Sequence, residues 1–352
     1  MLRYQLSVGF AAALIWLGAC GARSTRNEGL SLRGLDPPGS ESAALSFLDA
    51  RTAAWTSERA CAFSCHTGFP HLLAVGASGA ALSPAVVSLR SALVDRSANW
   101  AHVRPWYSSY PSASRGTESV LNAAALVALA RGQSLTTLGA DTRRALSVMW
   151  SEQQPDGSWA WLDVFGLLPW EGQGAAFWGT LQAANAIGSA PGNYLAECAA
   201  DAACAVRLGS LRRYIITGFS NKNPLSLHNR AWVLIVSRQL PDLLSALERD
   251  ATTRAIINAQ GISGAWRQES LGLGRGGTAD SSYATAIMVS ALRGAPSASS
   301  AVARGMAWLK RNQADTGAWQ ETSINDPSDP FKNALFTDAA TAYALVAGAA
   351  EF

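Results

Sequence analysis

The chain is poor in charge, and above all in lysine. Charged residues make up only 15% of its 352 residues, and the formal net charge is +3. Lysine occurs only at Lys222, Lys310 and Lys332, so arginines spread along the chain carry most of the positive charge. A nucleic-acid-binding face needs a cluster of basic side chains. The sequence has no such cluster, and we expect no nucleic-acid partner.

Long hydrophobic runs are also scarce. The run LSVGFAAALIWLG after Arg3 is too short for a lasting membrane helix and is typical of a signal peptide. The join LGAC resembles a bacterial lipobox, which predicts a lipoprotein signal peptide over residues 1–19 and lipid attachment at Cys20; an ordinary secretory signal is the alternative. Polar residues 20–41 predict a flexible tether. By resemblance, Gly21 favours the outer membrane, so we expect a periplasmic protein that contacts the membrane through its lipid anchor only.

Cysteine is rare as well, with five in the chain. Without Cys20, two close pairs remain, Cys61 with Cys65 and Cys198 with Cys204. An oxidising compartment favours disulfides. Three pairings are possible in principle; we expect Cys61–Cys65 to stiffen a turn and Cys198–Cys204 to close a short loop.

The first cysteine pair lies in the stretch ERACAFSCHTGFPH. Its C-x3-C-H core is one residue longer than the usual haem c attachment site. Cys61, Cys65, His66 and His71 also form a usable ligand set for zinc, although exported thiols compete with oxidation. We therefore favour no cofactor, with zinc and haem c as alternatives to the disulfide.

The sequence has little of the period-two alternation that indicates strands. It contains instead a repeat: RGMAWLKRNQADTGAW from Arg304, RALSVMWSEQQPDGSW from Arg144, and a weaker QGISGAW from Gln260. After each copy comes a second helix, rich in small residues and apolar on nearly all sides, which must be buried. Six such pairs fit the chain. We predict outer helices beginning near Ser42, Pro84, Asp141, Ala203, Asp242 and Ser300, and inner helices over residues 69–78, 117–131, 173–188, 226–238, 280–293 and 337–349.

The pattern R-G-x2-W-L-x3-Q-x3-G-x-W is similar to the repeat of the squalene–hopene cyclase and protein prenyltransferase β-subunit superfamily. The last copy matches it at Arg304, Gly305, Trp308, Leu309, Gln313, Gly317 and Trp319. The resemblance implies an all-α (α/α)6 toroid over residues 42–352. It also implies a structural role for the glutamine and tryptophan, whose amide would hydrogen-bond free helix-end groups.

In such toroids the connections from outer to inner helices open onto the ligand-binding end of the central cavity. The four histidines and several acids fall in or near these connections. The candidate catalytic residues are Glu118, Glu171, Asp280, Asp338 and His228; the candidate ligand-binding residues are Trp106, Trp170, Trp178, His66, His71 and Tyr283. For each acid taken singly we favour helix capping, because a carboxylate near a helix N-terminus accepts from free N–H groups. As a group around an aromatic-lined opening, the acids also fit a polar rim to a ligand pocket.

The chemistry of the resembled family does not transfer directly. Its hopene cyclases protonate a polyene with an Asp of a D-x-D-D motif, and this sequence has neither D-x-D-D nor D-D-x-x-D. Its motifs C-x3-C-H-T, S-R-G-T-E, P-W-E, H-N-R and D-A-A-T-A resemble half-length exported cyclase-like proteins. We expect a pocket for a hydrophobic, isoprenoid-like small molecule, and leave open whether it is catalytic. The alternatives are a protein- or glycan-binding module at the cell envelope and a metal or haem protein.

Overall fold

The computed structural model describes residues 40–58, 64–163, 169–172, 174–221, 225–273, 276–324 and 326–349. The predicted signal peptide, Cys20, most of the tether and Cys61 lie outside the described residues.

Thirteen α-helices and one short hairpin make up the described fold. The helices are α1 Glu41–Glu58, α2 Gly68–Ser78, α3 Pro84–Ala98, α4 Pro111–Gly132, α5 Ala140–Ser151, α6 Ala175–Ser189, α7 Tyr194–Ala200, α8 Ala202–Ser220, α9 Leu227–Val236, α10 Ala246–Asn258, α11 Ser282–Leu292, α12 Ser299–Arg311 and α13 Pro330–Gly348. Two 3-10 turns, Gln268–Leu271 and Pro296–Ala298, and the antiparallel strands β1 Trp266–Arg267 and β2 Asp280–Ser281 complete the elements. Twelve helices form the six predicted pairs, and α7 is an extra turn before α8.

Burial separates the helices into an outer and an inner set. Helix α11 is buried along its whole length, and α13 is buried continuously over residues 335–347. Helix α12 buries only one face, through Ala301, Gly305, Trp308 and Leu309. This difference follows from composition, because a helix that is apolar on all sides must be enclosed by neighbours. The prediction of polar-faced outer helices and fully buried inner helices is therefore confirmed.

The inner helices form a closed ring. Helix α2 packs on α4, α4 on α6, α6 on α9, α9 on α11, α11 on α13, and α13 returns to α2. The outer helices surround this ring and pack on its inner helices, for example α5 on α4 and α12 on α11. The fold is an all-α toroid of six helix pairs, as the repeat predicted.

The repeated glutamine and tryptophan brace the turns of pairs three, five and six. In each brace turn the indole N–H donates to a carbonyl near the end of the outer helix: Trp159 to Met149 at 2.7 Å, Trp266 to Ile256 at 2.7 Å and Trp319 to Leu309 at 2.8 Å. The glutamine amide donates to the turn glycine and to the backbone at the next outer helix; Gln313 thereby reaches Gly317 and Ser40. Because Ser40 precedes α1, the last brace closes the outer ring. The predicted structural role of these residues is confirmed.

Glycine is required at one position of each brace turn. Gly157, Gly264 and Gly317 have φ of 98°, 94° and 85°, which side chains rarely adopt. A Cβ at any of them would also collide with backbone of the next outer helix. The turn glycine therefore lets neighbouring repeats approach closely.

Three helix starts differ from the predictions. Helices α4 and α13 begin at Pro111 and Pro330, six or seven residues earlier than expected, because proline is well suited to the first helical position. Helix α10 begins at Ala246 instead of near Asp242, whose φ of 72° is not helical. Ser245 and Glu248 form a capping box there.

Two further expectations bear on the periphery of the ring. The predicted Cys198–Cys204 disulfide is present and joins α7 to α8. Within the described ranges, every helix is too short or too polar to span a membrane.

Candidate functional site

Asp338 lies at the centre of a buried polar contact between the first and last helix pairs. Arg51 of α1 binds its carboxylate in a bidentate manner, from Nε at 2.7 Å and Nη2 at 3.1 Å. Thr67, from the C-H-T motif, donates to the same carboxylate at 2.7 Å. Burial raises the pKa of Asp338, and Arg51 opposes that rise. Asp338 is in the third turn of α13, so capping does not explain it.

Glu118 has a similar arrangement in the second pair. Arg96 of α3 donates to Oε2 from Nε at 2.8 Å and also from Nη2, while Ser114 and the backbone N–H of Trp106 donate to Oε1 at 2.5 and 2.7 Å. The guanidinium of Arg96 also lies 5.0 Å from the ring centroid of half-buried Trp106. Burial raises the pKa of Glu118 despite these donors. Because α4 begins at Pro111, Glu118 is not a cap either.

Cys65, His66 and Glu171 form a third group, the thiol cluster. Their ligand atoms all lie within 4.8 Å of one another. The Cys65 thiol donates to Glu171 Oε1 at 3.3 Å, and His66 Nδ1 lies 2.6 Å from Ser64 Oγ. Burial, followed by the nearby charge of Glu171, raises the pKa of the Cys65 thiol well above its usual range. The P-W-E and C-x3-C-H-T motifs therefore meet in space, 106 residues apart in sequence.

The predicted Cys61–Cys65 disulfide involves a residue outside the described ranges, so the structure describes Cys65 alone. Cys65 is a free thiol, and its hydrogen bond to Glu171 explains why the sulfur is directed into the thiol cluster. Cys61 itself lies outside the described residues.

Six aromatic side chains, the aromatic cluster, meet inside the inner ring. They are Phe69, Trp170, Trp178, Trp232, Tyr283 and Tyr343. Trp170 stacks on Trp178 with 5.4 Å between centroids and lies 5.7 Å from Tyr283, and Tyr283 lies 5.4 Å from Tyr343. Five of these rings come from five different inner helices, α2, α6, α9, α11 and α13. Side chains from so many members of a ring can meet only near its axis.

The aromatic cluster contains polar atoms that lack partners. The Tyr343 hydroxyl and the Trp178 indole N–H are buried and make no hydrogen bond with any described residue. Both polar atoms of the Gln182 side-chain amide are also buried and make no hydrogen bond with any described residue. Gln182 lies one turn beyond Trp178 on α6 and thus on the same face. A buried polar group without a partner costs about 1–3 kcal/mol, so the interior is arranged for something besides packing.

The predicted histidines occupy different environments. His228 Nε2 lies 2.8 Å from the Tyr283 hydroxyl, at the edge of the aromatic cluster, and burial lowers the pKa of His228 to about 3. His71, a candidate ligand-binding residue, lies outside both the thiol cluster and the aromatic cluster. Its Nδ1 lies 2.9 Å from Thr52 Oγ1 and its Nε2 lies 3.4 Å from Asp49, so that it faces outer helix α1.

The candidate Asp280 stays apart from these groups, and so does His102, the remaining histidine of the chain. Asp280 is exposed in β2, opposite Arg267, and His102 is exposed after α3. Of the predicted site residues, the structure brings His66 together with Glu171 in the thiol cluster. It brings Trp170, Trp178 and Tyr283 together in the aromatic cluster, with His228 at its edge.

Sequence reasoning missed four residues of this region. Arg51 and Arg96 bind the two carboxylates, and Tyr343 lies five residues after Asp338 on α13. Buried Glu321 accepts from Ser281 at 2.6 Å and from Gln268 at 2.8 Å. Superposing the brace turns would have shown Glu321, since it and Gln268 both stand two residues after the brace tryptophan. The arginines carry no local signal, because their partners come from other helices.

Comparison with known proteins supports the architecture. No family model and no curated protein matches the chain. The type II terpene cyclase MstE from Scytonema is similar in structure, with a TM-score of 0.51 and 14% identity over 88% of this chain and 96% of that one. A variant of that cyclase in complex with merosterolic acid A, its product, has a TM-score of 0.50 and 15% identity over 88% and 96%. A polysaccharide lyase has a TM-score of 0.52 and 13% identity over 88% and 97%. At such identities the likeness shows the fold alone, a terpene cyclase-like toroid.

Proposed function

We propose that the protein binds an apolar, isoprenoid-like small molecule inside the inner ring, with the aromatic cluster as its main contact. The observation that carries this proposal is a set of aromatic rings from five inner helices that surrounds unpartnered polar atoms. Ligand pockets are mostly apolar and contain a few polar groups that orient the ligand. The solved terpene cyclase complex with merosterolic acid A supports the choice of ligand class by analogy of fold.

The unpartnered polar atoms indicate the kind of ligand. A pure hydrocarbon would leave the Tyr343 hydroxyl and the Gln182 amide without partners, whereas a ligand with one hydroxyl or carbonyl group would supply one. We therefore expect an isoprenoid that carries an oxygen function. Binding is the function that these contacts support.

Binding of geranylgeraniol and squalene to the purified protein tests this proposal by calorimetry. We expect saturable binding of geranylgeraniol and weaker binding of squalene. Tyr343→Phe should weaken geranylgeraniol binding about 5–10-fold, the value of one hydrogen bond, and leave squalene unchanged. The matched control Tyr214→Phe changes a partly buried tyrosine of outer helix α8 and should affect neither probe.

Stability provides a second readout of the same substitution. Since Tyr343→Phe removes an unpartnered buried hydroxyl, the free protein should become more stable by about 1 kcal/mol. The proposal fails if neither isoprenoid binds, or if an acidic oligosaccharide binds at the same site while the isoprenoids do not.

We also propose that the toroid is held at the cell envelope by a lipid on Cys20. The basis is the short apolar run and the LGAC join of the N-terminal sequence. Cys20→Ser should move the protein from the membrane fraction to the soluble fraction. Continued membrane association of that variant would contradict lipid anchoring.

A further inference from the structure

Two chain segments bring a half-buried thiol, a buried imidazole and a buried carboxylate to one place. Cys65 and His66 precede α2, and Glu171 precedes α6. His66 is only 2% exposed and Glu171 only 4%. Their ligand atoms, taken one per residue, all lie within 4.8 Å of one another. We propose that Cys65, His66 and Glu171 form a binding site for one divalent transition-metal ion with the preferences of zinc.

One of the three distances between ligand atoms already matches that of a metal site. Bonds of about 2.3 Å to sulfur and about 2.0 Å to oxygen place the two ligand atoms of tetrahedral zinc about 3.5 Å apart. Cys65 Sγ and Glu171 Oε1 are already 3.3 Å apart. Metal binding would exchange the thiol proton for the ion with little movement of this pair.

The ligand types select the class of metal. Magnesium and calcium prefer sites made of oxygen atoms alone, whereas thiolate and imidazole favour zinc and its neighbours. Three protein ligands are also the number found in catalytic zinc sites, where the fourth position holds water or substrate. One thiolate and one carboxylate together balance the charge of a divalent cation.

Neighbouring residues hold the ligands in place. Ser64 Oγ contacts His66 Nδ1 at 2.6 Å and accepts from the backbone N–H of Thr67 at 3.1 Å. Thr67 in turn donates to Asp338, and Trp55 packs on the His66 ring with 5.5 Å between centroids. Metal sites depend on such outer contacts to orient their ligands. The buried ion pair of Asp338 with Arg51 therefore supports the turn that carries two of the ligands.

Cobalt(II) provides a direct test of these ligands. The full mature chain, purified with its thiols reduced and freed of metal, is titrated with cobalt(II) or zinc. We expect one equivalent to bind, with a thiolate-to-cobalt charge-transfer band. Cys65→Ser should abolish the band, and Glu171→Gln and His66→Asn should each weaken binding at least about tenfold. Asp280→Asn and His102→Ala change an exposed acid and an exposed histidine of two other connections, and should leave affinity within about twofold.

Two controls keep the result decisive. Circular dichroism of each variant establishes that it is folded; if Cys65→Ser does not fold, Glu171→Gln and His66→Asn carry the test. Cys61→Ser tests whether the other nearby thiol binds the metal instead. If metal binding is lost in Cys61→Ser but kept in Cys65→Ser, Cys65 is not the ligand and the proposed site is wrong.

Other results would also overturn the site. They are binding of less than about a tenth of an equivalent, binding that survives both Cys65→Ser and Glu171→Gln, and a haem covalently attached to the cysteines. Failure of the isoprenoid experiment would leave this site unaffected, because its readout is metal binding.

Discussion

The brace turns and the two buried acids of the inner helices, Glu118 and Asp338, both hold polar groups in the fold, yet these groups find different partners. In the brace turn of the last pair, the amide of Gln313 and the indole of Trp319 donate to backbone carbonyls. Asp338 and Glu118 instead bind arginine side chains from outer helices, and Arg51 is 287 residues from Asp338 in sequence. The same fold thus pairs some polar groups with backbone carbonyls and others with charged side chains.

The difference distinguishes structural polar groups from functional candidates. Donation to a backbone carbonyl needs only a helix end, which every pair supplies, so the brace can be repeated. A buried carboxylate held by an arginine pays for the loss of water around both charges, and an apolar pair of similar size is often as stable. Arrangements of that kind are kept where a site needs them. We therefore attribute a stabilising role to the braces and keep the motif residues as the functional candidates.

The largest expected effect follows removal of a brace. Trp319→Ala should lower the free energy of unfolding by about 3–5 kcal/mol, because it removes a large buried ring and its hydrogen bond to Leu309. Urea denaturation measures this change. Trp319→Phe keeps much of the buried ring and should cost clearly less. An alanine variant as stable as the wild type would show that the brace does not hold the ring together.

The sequence predicted the braces well and the partners of the buried acids poorly. The braces, the alternation of helices and the ring were predictable because their signals are local: a helical period, a glycine turn and a tryptophan at fixed spacing. The partners of Asp338 and Glu118 were not predictable, since arginines lie in every outer helix and only the closed ring selects Arg51 and Arg96. The capping interpretation of these acids failed because Pro111 and Pro330 start their helices earlier than the small-residue pattern does.

A smaller effect is expected from the buried ion pair. Asp338→Asn should cost about 2–3 kcal/mol, because it leaves the Arg51 guanidinium without its counter-charge. We set this below the usual range since the Arg51 side chain is 33% exposed. Asp326→Asn is the matched control, at an exposed carboxylate that pairs with Lys332, and should change the melting temperature little. Equal effects of the two substitutions would contradict the special role of the buried pair.

The contact that closes the outer ring should contribute less to the free energy of unfolding than the Asp338–Arg51 pair does. Gln313→Ala removes hydrogen bonds of 3.0 Å to Ser40 and 2.8 Å to Gly317 and should cost about 1–2 kcal/mol. Gln153→Ala removes two bonds of 3.1 Å in the third pair, one of them exposed to solvent, and should cost less. The order of the two free energies of unfolding tests whether the contact between the last and first pairs matters for stability. A larger loss for Gln153→Ala would reverse our interpretation of ring closure.

At neutral pH the smallest effect is expected from His71 in the first helix pair, whose contribution to stability changes only below pH 6.5 and which the brace residues cannot reproduce. Burial lowers the pKa of His71 to about 4, although the Asp49 carboxylate lies 3.4 Å from its Nε2. An unfolded histidine has a pKa near 6.5, so burial of the neutral ring leaves stability intact above pH 6.5 and reduces it as the pH falls toward 4. The expected loss is about 1 kcal/mol per pH unit in that window.

The stability difference between wild type and His71→Gln isolates this contribution, because the buried carboxylates titrate in both proteins. The difference should shift in favour of the variant as the pH falls from 6.5 to 5, when measured by urea denaturation at each pH. His102→Gln, at an exposed histidine, should follow the wild type throughout. If the difference in stability between wild type and His71→Gln stays constant with pH, His71 is not buried as a neutral ring. The contact between His71 and outer helix α1 would then need a different explanation.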